Sequence, residues 1–209
     1  MNKIFIFNTG ISNLLSVRFA FEKLNYDVDI GKDLSMLSYG DTLVIPGVGH
    51  FDSIMKNIGK KNIKLIKNLV INKKVSYLGI CLGLQILFEN SSEGNMSGLG
   101  LIKGGVEKLS TKFEDSQIPE THIGWKNVQF MDNSKFKNYD KKMFYFVHQY
   151  FVNPVDEHII NSTIELYNKK VVVGILKDNI GGIQFHPEKS GETGLQFLDF
   201  MIKEINGKN

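Results

Sequence analysis

The stretch Val75-Ser-Tyr-Leu-Gly-Ile-Cys-Leu-Gly-Leu-Gln-Ile-Leu-Phe-Glu89 joins two different periodicities. An apolar run rich in β-formers enters Gly79-Ile-Cys-Leu-Gly83, and an apolar pattern of helical period leaves it. A strand that turns sharply into a helix at the centre of G-x-C-x-G has the form of a nucleophile elbow, with cysteine in place of serine. Glycines flank such a residue because side chains there would collide with neighbouring backbone. The sulfur would stand over a helix N-terminus, whose partial positive charge favours thiolate. Cys81 is the only cysteine in the chain. The competing reading is a small buried hydrophobe ending a core strand, and for a bare cysteine it is the commoner one. The glycine frame on a strand–helix junction favours the nucleophile.

A nucleophilic cysteine needs a base. Of the five histidines, His50, His122, His148 and His158 have settings ordinary for surface or capped residues. His186 follows Ile180-Gly-Gly-Ile-Gln-Phe185, which reads as a short buried strand, and opens His186-Pro-Glu188. Pro187 fixes its own φ and biases His186 towards an extended conformation, so the exit is stiff and Glu188 can turn back to the imidazole. A carboxylate on a histidine fixes its tautomer and stabilises the imidazolium. Cys81, His186 and Glu188 therefore form a candidate triad. An elbow supplies one oxyanion donor from the residue after the nucleophile, here the N–H of Leu82. A second is expected from Pro46-Gly-Val-Gly49, where a strand runs into a loop whose glycines, Gly47 and Gly49, let the peptide around Val48 turn an N–H into the site. An ordinary glycine turn is the alternative for that loop.

The surrounding chain reads as α/β. Lys3–Phe7 predicts a strand and Asn13–Leu24 an amphipathic helix, followed by a short strand near Val28, a strand over Thr42–Ile45 and helical pattern across Phe51–Asn72. Strands alternating with helices predict a mostly parallel sheet flanked by helices. From about Gly98 the texture changes to short alternating runs at Leu101–Leu109, Ile123–Phe130, Met143–Val147 and Val171–Leu176, which predict antiparallel strands appended to the sheet. The triad strand and a helix near Gly194–Ile205 follow. No linker or repeat divides residues 1–209, so a single domain is expected.

Composition narrows the function classes. The net charge of +3 is too small to imply a polyanionic partner, and Arg18 is the only arginine, which weighs against a reader of nucleic acid. One cysteine permits no internal disulfide, in keeping with a reducing, cytoplasmic compartment. Ile4-Phe-Ile-Phe7 is too short for a signal peptide, and no apolar stretch approaches the ~20 residues that span a membrane. The histidines have no metal-ligand spacing, so no metal is expected. Gly98-Leu-Gly-Leu-Ile-Lys-Gly104 lacks the spacing and flanking elements of a nucleotide loop, and no cofactor is expected.

Together, Gly79-Ile-Cys-Leu-Gly-Leu-Gln85, Pro46-Gly-Val-Gly49 and Gln184-Phe-His-Pro-Glu-Lys-Ser190 resemble the class I (triad-type) glutamine amidotransferases. More narrowly, the chain resembles the glutaminase subunits of imidazole glycerol phosphate synthases. That likeness rests on Gly49 with Phe51, His122-Ile-Gly-Trp125, Tyr145-Phe-Val-His148 before Tyr150, and Lys189-Ser-Gly191. The resemblance implies release of ammonia from glutamine through a glutamyl thioester on Cys81. It implies Gln85 beside the substrate, Glu93 near its amine, and Gln149 and Tyr150 near its α-carboxylate. It also implies a heterodimer with a (β/α)8-barrel cyclase that takes ammonia through a shielded path and makes imidazole glycerol phosphate and an aminoimidazole carboxamide ribotide. Trp125, Tyr145, His148 and Lys189 are the candidates for the docking face, core packing being the alternative for Trp125 and Tyr145. The isolated chain is expected to be nearly inactive, with the Pro46–Gly49 peptide turned away until the partner docks.

The pattern is broken at Asn8-Thr9, Lys103, Lys126 and Gln149, where the family usually has Asp-Tyr, proline, asparagine and serine. These departures touch substrate- or partner-facing positions, not the triad. Three further readings remain: a paralogue feeding ammonia to a surface-sugar amidotransferase, a stand-alone cysteine hydrolase, and a non-catalytic relative. The last typically loses a triad member, and all three are present.

Overall fold

Side-chain parity along the first strands sets the layers of the molecule. In β1 (Ile4–Phe7), Ile4 and Ile6 enter one core while Phe5 and Phe7 enter another, and all four are buried. A strand covered on both faces is what helices on either side of a parallel sheet require. The computed structural model describes residues 3–112, 121–131 and 135–207. After β1 come α1 (Leu14–Lys23), β2 (Val28–Gly31), β3 (Thr42–Gly47), α2 (Phe51–Ile71) and β4 (Ser76–Cys81). The second half holds α3 (Leu82–Gln85), β5 (Asn90–Ser91), β6 (Gly104–Lys108), α4 (Leu109–Lys112), β7 (His122–Asn127), β8 (Gln129–Phe130) and β9 (Met143–His148). It continues with β10 (Tyr150–Pro154), β11 (Ile160–Leu166), β12 (Lys169–Lys177), β13 (Ile180–Ile183) and α5 (Gly191–Ile205).

The main sheet runs β2-β1-β3-β4-β13-β12-β11-β8. Its pairings are parallel from β2 through β13 and antiparallel from β13 to β8. Val17, Phe21, Phe197, Leu198 and Met201 from α1 and α5 cover one face. Ile54, Ile58, Ile66 and Leu69 from α2 cover the other. Local chemistry fixes the helix ends. The Asn13 side chain accepts the Ser16 N–H at the start of α1, and the His50 ring accepts the Asp52 N–H at the start of α2. No helix among the described residues is long and apolar enough to cross a membrane.

The expected mixed α/β sheet is present, with four departures in detail. β13 lies beside β4 in parallel, with Ile183 opposite Ile80, so the two strands that end at His186 and Cys81 leave the sheet at one edge. Not all late strands join that sheet: among the described residues β7 pairs only with β9, and β10-β6-β5 form a separate three-stranded sheet. The helix over 51–71 is broken at Gly59, whose φ of 74° and ψ of 156° are not helical.

The fourth departure is at the elbow itself. α3 is a single turn, and Leu82, Leu84, Ile86, Leu87 and Phe88 in and after it are all buried. The carbonyls of Ile86, Leu87 and Phe88 are instead taken by N–H groups of Leu99, Leu101, Ile102 and Gly100. A one-turn helix has little dipole, so the favourable field at the sulfur must come from side chains.

Candidate active site

Cys81 closes β4 with φ 57° and ψ −111°, a combination that costs a non-glycine residue free energy and holds the side chain out of the strand. The turn is possible only because the backbone crosses itself closely. A Cβ on Gly83 would run into the Ile45 carbonyl, and one on Gly79 into the Gly83 carbonyl. The buried Tyr77 hydroxyl donates to that same Gly83 oxygen at 2.9 Å and locks the elbow from below.

His186 is buried, and its Nδ1 lies 2.8 Å from Glu188 Oε1. Since a carboxylate only accepts, Nδ1 carries a proton and Nε2 is turned to Cys81. Among the described residues Nε2 has no partner within hydrogen-bond geometry, yet the sulfur is the strongest favourable influence on the ring. Burial, the largest single effect, disfavours the imidazolium; the interactions with Cys81 and then Glu188 outweigh it and push the His186 pKa up to about 10. A base–nucleophile contact of this kind typically tightens when substrate binds. Ser190 steadies this exit: its hydroxyl donates to the His186 carbonyl at 2.6 Å and accepts the Tyr145 N–H at 3.0 Å. The Ser190 bridge went unread in the sequence, where the residue was only part of a motif.

A cavity of about 400 Å³ opens on the sulfur, lined by Val48, Gly49, Leu82, Gln85, Glu93, His148, Gln149 and Tyr150 among others. The predicted oxyanion and substrate residues are thus brought together, with specific differences. Gly47 is buried inside β3 opposite Cys81 and does not line the cavity. The Val48 N–H donates to the Ile11 carbonyl at 3.2 Å and so points away from the sulfur. Gly49 follows at φ 96°, a conformation open to glycine and costly to other residues, so the loop turns there. Glu93 spends one oxygen on the Phe51 N–H at 2.7 Å, capping α2, and burial raises its pKa. Gln149 is exposed and donates to Thr121 Oγ1 at 2.8 Å. The main-chain carbonyl of Tyr150 accepts from His148 Nδ1 at 2.9 Å and from Gln85 Nε2 at 3.4 Å.

Strand parity corrects one expectation. On β9, Met143, Tyr145 and Val147 face outward or half outward while Phe144, Phe146 and His148 are buried. His148 therefore cannot share a docking face with Tyr145, since successive residues of a strand point to opposite sides. Its Nδ1 donates to the Tyr150 carbonyl and its Nε2 receives the His122 Nδ1 proton at 3.1 Å, a neutral chain of two rings. The other three candidates do form one exposed group. Trp125 stands edge-on to Tyr145 at 6.0 Å, and Lys189 Nζ lies 5.8 Å above the Tyr145 ring. Ile123, 63 % exposed, and Met143 extend the same face.

Burial is the main cause that pushes the His148 pKa down to about 3, against 6.5 for an ordinary histidine. A depressed pKa contributes stability that is present above pH 6.5 and is lost as pH falls towards 3. Urea midpoints of the wild-type chain should therefore fall through that window, by up to about 1.4 kcal/mol of stability per pH unit. His148→Gln, which takes up no proton, should show a shallower acid slope; parallel profiles would refute a buried neutral His148.

Comparison with known proteins agrees with this geometry. The family model described as "Glutamine amidotransferase class-I" matches residues 6–203. The protein named imidazole glycerol phosphate synthase subunit HisH from Prochlorococcus marinus subsp. pastoris is 37% identical over 208 residues, covering 98% of this chain and 100% of that one. The HisH subunit of Haemophilus influenzae (strain 86-028NP) is 38% identical, covering 98% and 99%. A chain of the solved PurLQS structure from Thermotoga maritima superposes with a TM-score of 0.72 at 16% identity, covering 98% and 99%, and so shares the fold. The chain belongs to the class-I glutamine amidotransferase family, as a relative of the HisH subunits of imidazole glycerol phosphate synthase.

Proposed function

We propose that this chain is the glutaminase subunit of an imidazole glycerol phosphate synthase. The observation that carries the reading is the triad: Cys81 on a strained elbow, facing a buried His186 that Glu188 holds through Nδ1. Cys81 sulfur attacks the side-chain carboxamide carbon of glutamine, forming the C–S bond while the carbonyl electrons move to oxygen. The Leu82 N–H and a loop N–H at Val48 receive that oxyanion. Nε2 of protonated His186 gives its proton to the amide nitrogen, the C–N bond breaks, and ammonia leaves a glutamyl thioester. Water, deprotonated by His186, then attacks the thioester and releases glutamate and the thiolate.

The ammonia goes to a (β/α)8-barrel synthase subunit docked on the Trp125, Tyr145 and Lys189 face. Two observations support a docked partner. Exposed Ile123, Trp125 and Met143 form an apolar patch on the outward side of the β7–β9 pair. The outward face of β9 also leads directly from Tyr145 to Val147 at the cavity wall. The Val48 N–H held by Ile11 supports the further reading that docking, not folding, completes the oxyanion hole.

The test is glutamate release from glutamine by the chain alone and with the barrel subunit plus its ribotide ligand. One recovered oxyanion donor is worth ~10²–10³-fold, which is the stimulation expected. Robust turnover by the lone chain, unchanged on adding the barrel, would overturn the gating. A reactive Cys81 with no stimulation by that barrel would assign the ammonia to another acceptor, such as a sugar amidotransferase.

A further inference from the structure

Gln184 occupies the residue between the end of β13 and the Phe185-His186 exit, and it is fully buried. Its Nε2 donates to Cys81 Sγ at 3.4 Å, and its Oε1 accepts from Gln85 Nε2 at 3.0 Å. Which end of each amide points where is settled by one atom. The Tyr150 carbonyl only accepts, so the Gln85 group facing it is the NH2. The second hydrogen of that NH2 meets Gln184, which must therefore present oxygen to Gln85 and NH2 to the sulfur. His148 Nδ1 donates to the same Tyr150 carbonyl, and His122 to His148, so the chain of donors ends on fixed backbone and strand-paired rings.

We propose that Gln184 is a positioning residue of the glutaminase reaction, holding a permanent hydrogen-bond donor against the Cys81 thiolate. The physical effect is straightforward. A donor aimed at sulfur stabilises its anion more than its thiol, because hydrogen bonds to an ionised acceptor are roughly twice as strong. The elbow helix is too short to supply that field, and the Val147 carbonyl works the other way: its oxygen lies 3.9 Å from the sulfur and favours the protonated thiol. The ionisable groups around Cys81 are His186 with Glu188 on the β13 exit, His148 on β9 with His122 behind it on β7, and His50 and Glu93 across the cavity. Among them only His186 adds positive charge next to the sulfur, and it moves its proton during the reaction. The Gln184 N–H stays, so the thiolate remains stabilised when it is regenerated at deacylation. This rests on Cys81 being the nucleophile.

The test is the pH profile of Cys81 alkylation by iodoacetamide in the folded chain, with unfolding curves recorded alongside. Gln184→Met keeps length and apolar packing but offers the sulfur no donor. Its alkylation midpoint should move up by about one pH unit, with a matching loss of rate at neutral pH. Gln85→Met leaves the Gln184 amide without its pin and should move the midpoint the same way by less. Unmoved midpoints in folded variants would overturn the proposal. If Gln184→Met does not fold, the Gln85→Met profile decides alone, an upward shift supporting the role and no shift overturning it. Failure of the nucleophile assignment is read separately, as glutamate release that survives Cys81→Ala.

Discussion

Cys81→Ala should abolish glutamate release by the partner-bound chain, lowering it by about 10⁴-fold or more while the protein remains folded. The magnitude follows from what the residue does: without the sulfur no thioester forms, and the remaining oxyanion donors act only on a distant water. No other cysteine is present to substitute, since Cys81 is the only one. The same position stores backbone strain, with φ at 57° and ψ at −111°. Glycine is at home in that region and alanine is not. Cys81→Gly, equally inactive, should consequently be more stable than Cys81→Ala, by about 1 kcal/mol. Glutamate release within tenfold of wild type in either variant would remove Cys81 from the chemistry, and equal stability of the two would remove the strain.

Gly83→Ala should be the most damaging single methyl in the molecule. Its Cβ has nowhere to go except into the Ile45 carbonyl of β3, which is backbone inside a parallel sheet and cannot swing aside. The Gly83 carbonyl is itself held by Tyr77 OH and packed over Gly79, so the elbow cannot retreat either. Overpacking against rigid backbone costs at the upper end of the usual range, about 3 kcal/mol. For a chain of this size that corresponds to a melting temperature lower by roughly 6–12 °C. Gly49→Ala makes a useful contrast, because a Cβ there meets nothing and only its φ of 96° opposes substitution. Gly83→Ala with an unchanged melting temperature would show that the elbow is looser than this geometry.

The sequence carried the candidate triad because each member sits in a local frame with its own signature. Gly79 and Gly83 mark the elbow, and Pro187 marks the exit that sets Glu188 against His186. The same local logic placed α1 between its Asn13 cap and Leu24, and α2 from Phe51. It overreached where burial overrode period. Residues 82–89 have helical spacing, but the segment forms one turn before its carbonyls are claimed by residues 98–102. It also failed for His148, expected on the docking face with Tyr145, because three residues along a strand means opposite faces.

The roles of Gln184, Ser190 and Ile11 were hidden for a different reason. Each acts through a partner far away in the chain: Gln85 and Cys81 for the first, Tyr145 for the second, Val48 for the third. The sequence by itself thus determined which groups are the candidates to react, because an elbow, a stiffened histidine and a glycine loop are local conformational facts written in neighbouring residues. Only the tertiary structure decided that β13 lies parallel beside β4, which brings two strand ends separated by a hundred residues to one edge, and which way each amide and peptide at that edge points. Those choices are made by long-range pairing and by donor–acceptor matching around buried atoms, where one fixed carbonyl orients every group hydrogen-bonded behind it.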